Sequence, residues 1–162
     1  MENNILIVYK SVTGFTRKYA ESAAAELGCH CVELKNVSPR DVPNGGRLHA
    51  GKLDGLKQAL PLYRNSQAQR LVVFATGASP AGFEDITREM WKNNLGPELL
   101  DSVPHFYLPA GLRYDGMGFA DRLMMRALHG FMRRKKDKTE YELQLQRMIA
   151  GSYDISSPEY LT

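Results

Sequence analysis

Three hydroxyls and a glycine stand within six residues near the start of the chain, in the run Ser11-Val12-Thr13-Gly14-Phe15-Thr16. Ser11, Thr13 and Thr16 can each donate a hydrogen bond to an oxyanion. The run lies between an apolar, β-branched stretch, Ile5 to Tyr9, and a helical pattern that starts at Arg17. The first amides of a helix have no acceptor within the helix, and the macrodipole adds about half a positive charge at that end. A phosphate can therefore rest on the amides from Val12 to Thr16 without a lysine or arginine, and Gly14 lets the backbone come close to it. An ordinary N-cap through Ser11 or Thr13 is the plain alternative. One hydroxyl would carry no information; three of them directly after an apolar strand favour a phosphate site.

Other residues with reactive side chains say less. Cys29 and Cys31 flank His30 in a strand-like run, but their neighbours do not complete a four-ligand metal set. Reduced, buried thiols are the simpler reading, and no metal site is expected. His49 lies in a glycine-bounded stretch, Gly45 to Lys52, where it reads either as an acid or base beside a ligand or as a loop histidine without a role.

These residues have to be positioned by a scaffold, and the chain offers one. Its 162 residues suit one domain spanning 1–162, with enough length to bury a core. No apolar run approaches the ~20 residues of a membrane span, and no basic segment followed by a hydrophobic one opens the chain. A cytoplasmic protein is the expectation.

Tyr19, Ala20, Ala23, Ala24 and Leu27 line one helical face, closed by Gly28. Cys29 to Leu34 reads as a second strand. Lys35 to Asn44, with Pro39 and Pro43, cannot be a buried strand, and Gly45 to Lys52 reads as a loop. Leu53 to Tyr63 is helical, Arg70 to Ala75 is the most β-like run, and Thr76 to Pro80 a turn. A helix over Phe83 to Asn93 and a short segment from Pro97 to Leu100 follow. Val103 to Leu108 is a strand that Pro104 assigns to an edge, and Pro109 to Gly118 a glycine-rich loop. The order is that of a doubly wound α/β fold.

From Phe119 to Lys138 the chain is basic and amphipathic. Phe119, Leu123, Met124, Ala127, Leu128, Phe131 and Met132 alternate with Arg122, Arg126, Arg133, Arg134, Lys135, Lys136 and Lys138. A helix packed on the sheet with its charges solvated and a contact with an anionic surface, whether membrane, nucleic acid or acidic partner, fit the pattern equally. The plain reading asks for less. Thr139-Glu140-Tyr141-Glu142 has the spacing of a capping box at the head of a last helix through Ile149, and Ser152 to Thr162 reads as a tail. Apart from charge, nothing suggests nucleic-acid readout.

Strand, Ser-x-Thr-Gly-x-Thr, helix resembles the phosphate-binding signature of flavodoxin-like proteins, and SVTGFT matches its fixed positions. The blocks GGRLHAGK, VVFATGASP and FYLPAGLRYDGMGFADRLMMRALHGFMRRKKDKTE, with the tail DISSPEYL, are similar to the flavodoxin-domain family that includes menaquinone-dependent protoporphyrinogen dehydrogenase. The resemblance implies a parallel sheet of order 2-1-3-4-5 between two helical layers. It also implies non-covalent FMN, with the phosphate on Ser11, Val12, Thr13, Gly14, Phe15 and Thr16. The flavin ring would then lie between a loop of Leu48, His49, Ala50 and Gly51 and a loop of Thr76, Gly77 and Ala78. Phe15 stands where many flavodoxins carry Asn. The activity implied is FMN-dependent oxidation, of a porphyrinogen with a quinone as acceptor, and Gly111 to Lys138 would serve docking, to an anionic porphyrinogen or, through Phe119 to Lys138, to an anionic membrane surface. An electron carrier and a degenerate, non-enzymatic binding module are the alternatives.

One expectation departs from the family. No apolar third strand precedes Gly45, so the third strand is expected to be missing or shortened. Ile5 to Tyr9 would then pair directly with Arg70 to Ala75, or an element swapped from a second copy would fill the gap and make a homodimer.

Overall fold

The computed structural model describes residues 5–38, 47–51, 53–79 and 84–161. Five parallel strands form the central sheet: β1 (Ile5–Tyr9), β2 (His30–Glu33), β3 (Arg47–Gly51), β4 (Arg70–Gly77) and β5 (His105–Pro109). Their order across the sheet is β2-β1-β3-β4-β5. Every connection is a crossover, as parallel pairing requires.

The third strand is present. Arg47 to Gly51, read from the sequence as a loop, pairs along its whole length with both neighbours, Ile5 to Tyr9 on one side and Arg70 to Phe74 on the other. β1 does not pair directly with β4, and no swapped element is needed to fill the centre. Arg-Leu-His-Ala-Gly has one large aliphatic residue in five, so the apolar-run signal fails. What places it is the ladder: two flanking strands offer rows of donors and acceptors that must be paired. Of the expected loop, Gly45, Gly46 and Lys52 lie outside the described residues, as do Pro39, Pro43, Pro80 and Phe83.

Helices α1 (Phe15–Leu27), α2 (Leu53–Arg64) and α3 (Glu84–Ser102) cover the sheet. α1 ends on Gly28 in the left-handed conformation at φ 59°, the stop that Gly28 suggested. α3 joins the two pieces seen in the sequence across a break at Gly96 (φ 71°), just before Pro97. Leu6, Val8, Leu71 and Val73 face Leu56, Trp91 and Leu95 in one core layer. Ile7, Tyr9, Phe74 and Leu108 face Phe15, Tyr19, Ala20 and Ala24 of α1 in the other. Alternate residues of β1 thus enter opposite layers, as the pleat dictates. β5 lies at the edge, with Pro104 just before it.

The C-terminal third forms a separate apolar cluster. β6 (Gly111–Leu112) and β7 (Tyr153–Asp154) make a short antiparallel ribbon, with α4 (Phe119–Arg134) and α5 (Glu140–Met148) between them in sequence. Leu112, Met132 and Ile149 are its buried centre. The expected packing of the basic helix on the sheet is therefore corrected: α4 rests on α5 and the ribbon. The stretch read as a tail supplies β7. α5 begins with a full capping box, in which Glu142 N–H donates to Thr139 Oγ1 (3.2 Å) and Thr139 N–H to Glu142 Oε2 (3.0 Å).

Candidate functional site

The strands are parallel, so their C-terminal ends share one edge of the sheet. In register, Tyr9 lies beside Gly51, Gly51 beside Phe74, and Gly77 beside Pro109. Open α/β sheets bind ligands at this edge. Ser11 to Thr16, Gly51 and Thr76 to Ala78 all reach it. Leu48, His49 and Ala50 do not: they are ladder residues within β3, with His49 opposite Ile7 and Val72. The reading of these four residues as a loop is corrected, and of the set only Gly51, the last residue of β3, meets the edge.

The first turn is held from within. Ser11 Oγ accepts the Gly14 N–H at 3.1 Å. Gly14 is the N-cap of α1 at φ 92°, in the left-handed region that favours glycine. Having no side chain, it offers no cap to the amides that follow. The first helical bond runs from Lys18 N–H to the Gly14 carbonyl (3.0 Å), so the amides of Phe15, Thr16 and Arg17 precede the ladder. Val12 is exposed and Phe15 is buried beneath the turn. Thr16 is buried with it, and its hydroxyl pairs with Thr76 Oγ1 at 2.8 Å. Such a pair uses one hydroxyl hydrogen and leaves the other to donate. It also ties the first turn to the end of β4.

Several residues at this edge escaped the sequence reading. The Arg113 guanidinium lies over the Phe15 ring, 5.0 Å from its centre, on the side where a Cβ on Gly14 would approach Arg113 Nη1 to 3.5 Å. It brings a cation beside the turn, whose own six residues, Ser11 to Thr16, include none. Tyr107 Oη accepts from Ser79 N–H (2.9 Å) and donates to the Ser79 carbonyl (3.1 Å). Tyr153 Oη donates to the Ala78 carbonyl at 2.6 Å, so the loop after β4 is held by two phenols. Burial pushes both phenols above the ordinary tyrosine range, keeping them protonated as donors. Tyr107 is the middle residue of β5 and Arg113 follows β6, so no local pattern marks either, and only the sheet and ribbon bring them to this edge.

A cleft of about 360 Å³ opens beside the turn, lined by Lys10, Ser11, Val12, Lys35, Gln58 and Leu62 among others. Cys29 and Cys31 are free and half-buried, with thiols raised by burial.

The donor set suits a phosphate monoester: early helix amides, a spare hydroxyl hydrogen from the Thr16–Thr76 pair, and a nearby guanidinium. The Flavodoxin domain family matches residues 6–142. The chain belongs to that family. No curated protein and no solved structure matches it. Flavodoxin domains generally bind FMN, and the turn, the end of β3 and the loop after β4 stand at the edge where this domain's fold receives a ligand.

Proposed function

We propose that the chain is an FMN-binding oxidoreductase of the flavodoxin-domain family. The observation that carries this reading is the first turn: a glycine N-cap in the left-handed conformation, early helix amides without a side-chain cap, and the Thr16–Thr76 bridge to the end of β4. The phosphate would rest on Ser11 to Thr16 with Arg113 beside it. The flavin ring would lie between Gly51 at the end of β3 and Thr76, Gly77 and Ala78 at the end of β4 and just past it. When bound, the flavin accepts and passes on electrons. The chain's own part is to orient it: Tyr107 and Tyr153 fix the loop that would border the ring, and β3 and β4 set its spacing.

The finer reading is oxidation of a porphyrinogen with a quinone as acceptor. Its support is the similarity of the blocks Gly45 to Lys52, Val72 to Pro80 and Phe106 to Glu140, with the tail Asp154 to Leu161, to that family. An electron carrier would rely on an acidic face to meet basic partners, and Phe119 to Lys138 holds seven basic residues against two acidic ones. The degenerate binding module loses its main argument now that the third strand is in place.

The test is a spectrum of the purified protein with and without added FMN. Bands near 375 and 450 nm, approximate for any oxidised flavin, are expected to co-purify or to appear on the protein after incubation and gel filtration. FMN at a hundred times its Kd should stabilise the fold by about 2.7 kcal/mol, a Tm rise of roughly 5–10 °C for a chain of this size. A colourless protein whose Tm ignores FMN refutes the proposal. If flavin binds, anaerobic reduction followed by reoxidation with a quinone or with a protein acceptor separates enzyme from carrier.

A further inference from the structure

Space opens on both sides of the first turn. In the sheet, β1 lies between β2 and β3, and Glu33, Tyr9 and Gly51, which end these three strands, stand side by side. The turn that follows β1 therefore has the end of β3 and the loop after β4 on one side and the end of β2 on the other. The flavin reading uses only the first side. On the second lies the cleft of about 360 Å³, large enough for a ligand group of its own. Ser11 and Val12 belong to its lining as well as to the turn, so a phosphate on the turn would border the cleft.

The lining suits a nucleoside. Glu33 closes β2, and its carboxylate pairs with Lys35 Nζ at 2.8 Å. A carboxylate offers about four lone-pair positions, so Glu33 keeps room for the hydroxyls of a ribose, the part an acidic residue plays in dinucleotide-binding α/β folds. Leu34 and Val37 pack on the main core cluster and, with Leu62, give the cleft an apolar wall for the face of a base. Gln58 is the one amide side chain among the described residues that line it, and such an amide can pair with both N6–H and N7 of adenine. Lys10 lines the cleft next to the turn and makes no ion pair among the described residues. It is free to meet a second phosphate beside the one on the turn.

FMN ends at its phosphate and would leave these groups unused. Flavin adenine dinucleotide (FAD) continues through a second phosphate and a ribose to an adenine, one group each for Lys10, Glu33 and Gln58 to meet. A nicotinamide dinucleotide would compete with the flavin phosphate for the turn, whereas FAD fills both sides at once. We infer that the cleft takes the adenosine diphosphate half of FAD, so that the chain holds the dinucleotide more tightly than FMN. The inference rests on the flavin reading for the half that lies beyond the turn.

The experiment is equilibrium dialysis of the full chain against FMN and against FAD, read at about 450 nm, with calorimetric titration by ADP in the absence of flavin. FAD should bind about tenfold or more tightly than FMN. ADP should bind alone and compete with both, since its terminal phosphate reaches the turn. Lys10→Met should weaken ADP about tenfold, and Gln58→Ala should weaken ADP and FAD about fivefold. Removing one ribose hydroxyl tests Glu33 by a readout that a loss of stability does not move: 2′-deoxy-ADP should bind the unaltered chain about tenfold more weakly than ADP, and Glu33→Ala should close that gap. The inference is overturned if ADP does not bind the unaltered chain, or if the deoxy gap is the same in Glu33→Ala. FMN bound with FAD no tighter overturns the inference alone; neither flavin bound overturns it together with the function proposed above.

Discussion

At the scale of single residues, the site depends on two glycines for different reasons. Gly14 is required by its φ of 92°, a conformation that costs a residue with a Cβ about 1–2 kcal/mol. Gly77 is required by space, since a Cβ there would lie 2.5 Å from Tyr107 Oη. Gly77→Ala must push that phenol off the Ser79 backbone, at a cost of about 1–3 kcal/mol or a Tm loss of roughly 2–12 °C. Tyr107→Phe alone should cost about 1 kcal/mol for the lost hydrogen bonds. Combined, the two should destabilise less than their sum, because the phenyl variant removes the nearest obstructing atom. Strict additivity in thermal melts would show that Tyr107 is not what keeps residue 77 a glycine. Ser11 and Gly14 were visible from the sequence because local chemistry set their roles. Tyr107, Arg113 and Tyr153 were not, because each acts across a distance in sequence that only the sheet and ribbon close.

At the scale of elements, legibility followed burial pattern. β1 and β4 announced themselves as apolar runs, and α1 by its small-residue face and terminal glycine. β3 did not: its five residues are held by backbone pairing on both sides, and propensity is a weak guide where tertiary pairing decides. α4 reads as amphipathic, but its neighbours decide which part of its broad apolar face is covered: Met132 is buried, while Phe119, Leu123, Met124 and Phe131 stay exposed. The capping box of α5 was legible because both partners lie within four residues. It also carries a pH dependence. Hydrogen bonds from Lys135 and from the Thr139 amide hold the Glu142 carboxyl below its ordinary range. A carboxylate whose folded pKa is depressed stabilises above its unfolded value, about 4.3, and that contribution is lost as pH falls through the folded value. Glu142→Gln should therefore lower Tm near neutrality, and the gap to the unaltered chain should close below about pH 4. Melting curves across that range check it; a gap independent of pH would mean that the ionised carboxylate is not what the cap uses.

At the scale of the whole molecule, the chain divides its labour. The sheet and α1 to α3 present an edge lined with amides, hydroxyls and phenols, while the C-terminal cluster carries the basic, apolar surface and returns β7 to that edge. Ile155 N–H donates to the Ala110 carbonyl (2.7 Å), and Lys18 Nζ to Ser156 Oγ (2.7 Å). The position of β3 has a kinetic side. The strand that lies between β1 and β4 is the one with the feeblest drive of its own, and both of its neighbours must wait for it to complete their pairing. Non-local parallel pairings are slow to form. Refolding should proceed through two half-sheets, β2 with β1 and β4 with β5, that fuse in one late step when Arg47 to Gly51 slots between them. Pulsed hydrogen exchange should show amides of β1 and β4 that face β3 gaining protection together, after those that face the outer strands. Until that step, two open edges stand exposed, and the nascent chain is at its most prone to pairing with the wrong neighbour.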